Sequence, residues 1–353
     1  HWAFWLNIPA GLFVLYLTLK YIPNSRDETT PRGLDYPAIA LSTIGLGAIV
    51  FALIEGQRYG WIRQDSGDIS PIPFIFTTGV ILMAVFTRYQ LVRARQKKPV
   101  LVDLRILDIK SFRYGSLAAL IVAFGEFGLL FTLPLLLQNA LGYTALQTGF
   151  TVAALALGTF IISGSTPQLT RKYGARAVVR TGLSLEVLAI AAIALTLSDS
   201  ISGWVVTGWL FVYGIGVGMA TAQLTNVIMT DVPADESGQA SGLQSTFRQL
   251  GSTLGIAILG AALISTFNAS TIKNFQAIDE SFTSSQQQTI DSTVDSIGAP
   301  IQALRDNLST KAIGDAAQQG LIEASKVTTG IAAGIVGLGL LCTWLLPRHT
   351  KDI

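Results

Sequence analysis

About nine apolar stretches, each close to the length a helix needs to cross a bilayer, recur along this 353-residue chain. They constrain its fold more than any other feature. A spanning helix takes about 20 predominantly apolar residues, because each residue advances the chain by only about 1.5 Å. The approximate limits are 3–21, 36–53, 72–89, 114–137, 147–163, 177–197, 204–229, 238–267 and 327–346. Only 13% of the residues are charged and 50% are hydrophobic, whereas about a quarter of a soluble domain is charged. The chain is therefore read as an all-α integral membrane protein.

The connections test that assignment independently. One alternate set carries Arg26 and Arg32, then Arg93, Arg95, Lys97, Lys98, Arg105, Lys110 and Arg113, then Arg171, Lys172, Arg176 and Arg180, and finally Arg348 and Lys351. In the other set, 138–145 and 198–203 carry no Lys or Arg, and 57–70 carries only Arg58 and Arg63. The positive-inside rule makes the first set cytoplasmic, so the first residue is expected outside and the C-terminus inside, in agreement with nine spans. The connection 230–237 fits this pattern least, since it falls inside without a Lys or Arg.

The opening His1-Trp2-Ala3-Phe4-Trp5 has no Met start and no basic region before its apolar run. Trp2, Phe4 and Trp5 suit a headgroup layer, and Pro9 suits a first helical turn. The reading expects a span that continues something larger. Residues 268–325 form the longest polar connection, predicted outside as a small helical cap. Ile290, Val294, Ile297, Ile301, Leu304 and Leu308 stand there at helical spacing, broken at Gly298 and Pro300. The basic segment 88–113 either enforces topology or lies along the inner leaflet.

Several enzyme classes lack their residues. The only histidines are His1 and His349, the single cysteine is Cys342, and no G-x-S-x-G pattern occurs, so neither a transition-metal site nor a hydrolase triad is expected. The chain is read as no enzyme, with no cofactor and no nucleic-acid partner. Glycine is abundant, and the pairs Gly238 and Gly242, Gly251 and Gly255, and Gly330 and Gly334 are each spaced for one helix face, where a neighbouring backbone can approach. Gly214, Gly216 and Gly218 lie in an apolar helix with no strand before them, so they are read as packing and not as a phosphate loop.

Charges within spans are costly and usually face a bundle interior or water. Glu126 stands at the middle of 114–137, and its neighbours Val122, Ala123, Leu129 and Leu130 offer no cation. Any partner must come from another helix, and burial favours its neutral form, which suits a proton or cation site. The alternative is a neutral acid that only hydrogen-bonds a neighbouring helix. Glu186 is a second candidate, although it stands closer to the cytoplasmic interface. Gln223 and Asn226, with Thr221, either line a pathway or bond across helices. Arg248 is expected to hold a cytoplasmic carboxylate such as Asp231 or Glu236, as a gate or an anchor.

Taken together, several stretches resemble one family. Trp2, Phe4, Asn7, Pro9 and Gly11 are similar to the opening of the sixth span of the fourteen-span drug:proton antiporters of the major facilitator superfamily, the EmrB/QacA type. Leu34-Asp35-Tyr36 with Gly45, Gly47 and Glu55-Gly56 resembles its seventh span. Pro134 to Gln138 resembles the end of the ninth, and Pro233, Gly238, Arg248-Gln249-Leu250-Gly251 and Gly255 resemble the thirteenth. Leu169 to Arg176 resembles the superfamily's basic cytoplasmic signature, with Lys172, Gly174 and Arg176 in place and Arg171 where family members often carry an acid.

The resemblance implies a major facilitator fold with the sixth to fourteenth spans present and five preceding ones absent. Residues 1–21 would close the N-terminal half, 22–112 would be an inserted two-span linker, and 113–353 would be the C-terminal six-helix bundle with its loop at 268–325. It further implies export of amphipathic or cationic compounds by proton antiport, with the lipid bilayer, the substrate and protons as partners, in a plasma membrane of bacterial type. A permease or flippase for lipid-like solutes, and a scaffold that binds an accessory protein through the outer loop, are the alternatives.

Overall fold

The computed structural model describes residues 5, 7–21, 35–56, 59, 61–62, 69–96, 98, 100–277 and 283–346. Trp2 and Phe4 of the opening, and the terminal Arg348 and Lys351, lie outside the described residues. The helices are α1 (Asn7–Tyr21), α2 (Tyr36–Glu55), α3 (Ile72–Arg95), α4 (Lys110–Leu135), α5 (Ala145–Tyr173), α6 (Ala175–Thr196), α7 (Gly203–Met229), α8 (Ser237–Gln276), α9 (Ser284–Asp295), α10 (Ile301–Asp306) and α11 (Lys311–Cys342). Eight helices among the described residues, α2 to α8 and α11, are long and apolar enough to cross a membrane. The ninth expected span is represented by the 15 described residues of α1.

Local chemistry sets several helix starts. Asp35 accepts the Ala38 N–H at 3.3 Å at the head of α2, where a proline occupies the first turn. Thr144 and Gln147 form a reciprocal capping box on α5, and Thr283 and Gln286 form one on α9. Between α5 and α6 the chain reverses at Gly174, whose φ of 83° excludes most side chains.

The surface of the bundle is apolar and part of its inside is polar, as lipid requires. Phe160, Leu188, Leu195 and Trp204 are exposed, whereas Ser116, Thr132, Thr253, Ser325 and Thr328 are buried. Helices bathed in hydrocarbon gain little from apolar attraction to one another and associate through close packing and hydrogen bonds. α4 lies at the centre, packed along α8 and α11 and touching α7, while α7 packs against α5 and α6, and α11 also meets α6. The α2–α3 hairpin packs on itself and leans on α8.

Glycines set the spacing of several of these pairs. A Cβ at Gly251 or Gly255 would collide with the carbonyls of Leu120 and Phe124 in α4, and one at Gly214 with that of Leu155 in α5. Gly238, Gly242, Gly330 and Gly334 instead have open space beside them. Of the three expected glycine pairs, only Gly251 with Gly255 admits a neighbouring backbone. A four-residue spacing fixes a common face without fixing what that face meets.

The segment read as a connection at 268–325 is mostly helix. α8 continues to Gln276, α11 begins at Lys311, and Ile290, Val294 and Ile301 of the short helices between them are buried. Helix α4 ends in a π turn over Leu136–Ala140, just after Pro134, which cannot donate to the preceding turn. α10 and the start of α11 fasten to that turn: Gln302 Nε2 donates to the carbonyls of Asn139 at 3.3 Å and Ala140 at 3.2 Å, and Gln318 Nε2 of α11 donates to that of Ala140 at 2.8 Å.

The basic segment folds back onto the bundle. Ile106 is buried in the short 3₁₀ helix Leu104–Asp108, and the Asp103 N–H donates to Gln239 Oε1 of α8 at 2.8 Å. Arg105 remains exposed. Part of the apolar side of this segment therefore meets protein, while Arg95, Lys98, Lys110 and Arg113 also stay exposed.

Candidate functional site

Helix α4 carries Glu126 into the centre of the bundle because its glycines allow three neighbours to close around it. Gly115 faces Ile228 of α7, Gly125 faces Ala332 and Val336 of α11, and Gly128 faces Gly255 and Leu259 of α8. Glu126 is 5% exposed, and its Oε1 has no hydrogen-bond partner.

Glu186, on α6, is fully buried, and neither of its carboxyl oxygens has a partner. Its stem lies across Gly216 of α7, where an added Cβ would stand 2.7 Å from Glu186 Cγ. Both sequence candidates are thus buried in the bundle, on α4 and on α6, and Tyr213 of α7 is buried as well. Among the described residues none ion-pairs with either carboxyl.

On one side of Glu126 a cavity of about 20 Å³ opens, walled by Ala123, Thr221, Thr225, Gln244 and Arg248. That volume suffices for about one water molecule. Gln244 Nε2 donates to Thr225 Oγ1 at 3.0 Å across it. Arg248, expected near the cytoplasmic acids, stands on the wall of this cavity beside Glu126. Gln223 and Asn226 do not line it; Asn226 Nδ2 donates to Gln223 Oε1 at 3.2 Å along α7.

The residues of the basic signature serve the far end of another helix. Arg176 Nη2 donates to the carbonyl of Leu346, and Arg180 Nη2 to that of Thr343 at 3.3 Å, with its guanidinium over the Trp344 ring. These carbonyls lie just beyond the end of α11, and cations suit a helix C-terminus. Lys172 lies over the ring of its neighbour Tyr173, and Gly174 makes the turn. Of the other signature residues, Asn7, Pro9 and Gly11 lie on the exposed surface of α1. Asp35 ion-pairs with Arg93 at 3.3 Å, Pro134 precedes the π turn, and Gly251 meets α4.

Sequence reasoning missed Tyr213 and Gln244, and read Gly216 as packing without its neighbour. Their roles depend on which helices become neighbours. Gly214 and Gly218 meet α5, whereas Gly216 between them turns to α6, and the run of glycines is the one signal that pointed there.

Comparisons with known proteins agree with this architecture. The family profile described as Major Facilitator Superfamily matches residues 1–256. The chain is 32% identical over 266 residues to the multidrug resistance protein Stp of Mycobacterium tuberculosis, covering 75% of this chain and 47% of that protein. It is 28% identical to a probable actinorhodin transporter of Streptomyces coelicolor, covering 73% and 44%, and 24% identical to the multidrug export protein EmrB of Escherichia coli, covering 73% and 48%. The chain thus spans about half the length of these relatives. The solved structure of a bacterial homologue of the human lysosomal transporter Spinster, inward-facing and unoccupied, shares the fold with a TM-score of 0.50 at 16% identity, covering 88% of this chain and 68% of that one. The eight spanning helices, their packing and the profile match over most of the chain lead to one assignment: this multi-pass membrane chain belongs to the Major Facilitator Superfamily.

Proposed function

We propose that the chain works in a secondary active transporter that exports amphipathic or cationic compounds by proton antiport, with two halves alternating access to a site between them. The observation that carries this reading is Glu126, a carboxyl at the middle of a central helix, almost wholly buried, with an oxygen that has no partner and a water-sized cavity at its side. An ionisable group in such a place is costly and faces a bundle interior or water. Motion that opens or closes the cavity admits or excludes the water that would carry a proton to it, which is what coupling requires. The names of the relatives, a multidrug resistance protein and a multidrug export protein among them, support the substrate class.

On this reading residues 113–353 are the C-terminal half, 22–112 the inserted pair of spans with its basic segment, and 1–21 the end of the preceding half. The end bearing Arg171, Lys172, Arg176 and Arg180 faces the cytoplasm, and the α9–α10 region faces outside. Lys172, Gly174 and Arg176 belong to the gate at the inner end, where Gly174 makes the α5–α6 turn and Arg176 ties it to the segment after α11.

The test is efflux of a lipophilic dye cation from proteoliposomes holding the intact protein, under an imposed proton gradient and without one. Extrusion that follows the gradient and stops when it is collapsed supports antiport. Flux indifferent to the gradient would favour a permease for lipid-like solutes. No flux, together with tight capture of a partner protein by the outer cap, would favour the scaffold.

A further inference from the structure

We propose that the seam between α6 and α11 holds a phospholipid, with a phosphoethanolamine headgroup in the cavity where the α6–α7 connection meets α11 and an acyl chain along the glycine face of α11. The proposal rests on the reading above only for its leaflet, the outer one; its chemistry is independent of what the protein transports.

The cavity has a volume of about 200 Å³ and is walled by Ser198 and Asp199, just after α6, and by Gln319, Ile322, Glu323 and Lys326 of α11. It has room for a group of several heavy atoms, since a water molecule's share of the liquid is about 30 Å³. The four residues of α11 recur at helical spacing, so this helix turns one face to it. Asp199, Glu323 and Lys326 are exposed, and among the described residues no ion pair joins Lys326 to either acid. Lys326 immediately precedes the apolar run 327–346, in which Val327 and Ile331 are exposed, as is Leu195 near the end of α6. The charges therefore stand at headgroup level, where hydrocarbon-facing side chains give way to polar ones.

Charge and shape select the occupant. Two carboxylates and one ammonium fit a zwitterion whose own ammonium meets Asp199 and Glu323 while its phosphate meets Lys326. An anionic headgroup such as phosphoglycerol would set its charge against two acids with one cation to offset them. A choline headgroup has no N–H to donate, and the cavity has no aromatic wall to receive its methyl groups. An ethanolamine ammonium carries three N–H donors, for which the two carboxylates and the Gln319 side-chain oxygen are acceptors.

The helix face continues from the cavity as Gly330, Gly334 and Gly337. A Cβ at Gly330 or Gly334 would meet nothing within 4 Å, and one at Gly337 only Val187 of α6, at 4.0 Å. Glycine weakens a helix interior, and no backbone packs into these positions to account for them, as one does at Gly214 and Gly251. Without side chains the face is a shallow groove beside α6, which packs on α11. From Lys326 to Gly337 it runs about 16 Å, roughly half of a hydrocarbon core of about 30 Å. That is the depth one acyl chain occupies.

The test is photolabelling of the intact protein in phosphatidylcholine vesicles that contain a trace of lipid with a diazirine on its acyl chain. Three such probes are compared, with ethanolamine, choline and glycerol headgroups, and labelled peptides are located by mass spectrometry. The ethanolamine probe should label 187–195 and 327–341 about fivefold more than either of the others, relative to the remaining spans. Lys326→Gln and Glu323→Gln change exposed side chains, and each should reduce that preference; Gly334→Leu should fill the groove and remove the label from 327–341. Equal labelling of the seam by all three probes, a preference for the glycerol headgroup, or no label there, as when protein covers the seam, would each overturn the proposal. So would Lys326→Gln and Glu323→Gln variants that both keep the wild-type preference. The wild-type comparison needs no substitution, so a variant that does not fold leaves it decisive. Dye efflux that ignores a proton gradient would remove the antiport reading and leave this result untouched.

Discussion

Asn139, in the π turn that ends α4, donates through Nδ2 to the carbonyl of Ile297 at 2.7 Å, across 158 residues of chain. The accepting residue closes α9 with a φ of 50°, next to Gly298 at 76°. One side chain thus joins the end of the Glu126 helix to the far cap. Replacing Asn139 by Ala should leave that carbonyl without its donor and cost about 1–2 kcal/mol. Limited proteolysis should then cut the cap at 277–310 faster than in wild type, with the helices of the bundle unaffected.

The glycine contacts predict opposite signs for the same substitution. Alanine is the better helix former by about 1 kcal/mol, so Gly330→Ala, where space is open, should be neutral or stabilising. At Gly251 the new methyl meets the Leu120 carbonyl, a backbone atom that cannot step aside, and overpacking of about 1–3 kcal/mol should outweigh the propensity gain. Thermal unfolding in one detergent compares the two directly.

Arg180→Ala removes the bond to Thr343 and the contact with Trp344. The end of α11 should fray, with a loss of about 1–2 kcal/mol. Cys342, the last residue of α11 and half-buried, reports this without any added label site: its thiol should react with a maleimide faster in Arg180→Ala than in wild type. Lys172→Ala, which removes a contact with the neighbouring Tyr173 ring in α5, should leave the rate unchanged.

Asp35→Asn should loosen the α2–α3 hairpin. The buried carboxylate caps Ala38, pairs with Arg93 at 3.3 Å and accepts from Tyr89 Oη at 3.2 Å. The amide keeps the shape and loses the charge, for a destabilisation of about 1–3 kcal/mol. Because this hairpin leans on α8 and gives no residue to the wall of the Glu126 cavity, the variant should unfold earlier in guanidinium than wild type.

What was legible in the sequence were the features set by the bilayer. Twenty apolar residues in a row leave a helix as the answer, and an acid alone among them, such as Glu126, stands out by its cost. The helix ends at 276 and 311 were less legible, since Ser, Thr and Gln outside the apolar runs are helical here only because the cap stacks on the π turn. The sealing of Glu186 against α7 was illegible, as it depends on which faces of α6 and α7 meet. Gly216 carries the same lesson: its spacing announced packing, but only the fold shows that what it makes room for is a carboxyl stem.

The most direct test of the account is uphill dye efflux driven by a proton gradient in proteoliposomes of the intact protein, comparing wild type with Glu126→Gln at equal amounts in the membrane. The account predicts that wild type accumulates dye against its gradient and that Glu126→Gln falls to the level of protein-free vesicles. Undiminished, gradient-driven efflux by Glu126→Gln would contradict it.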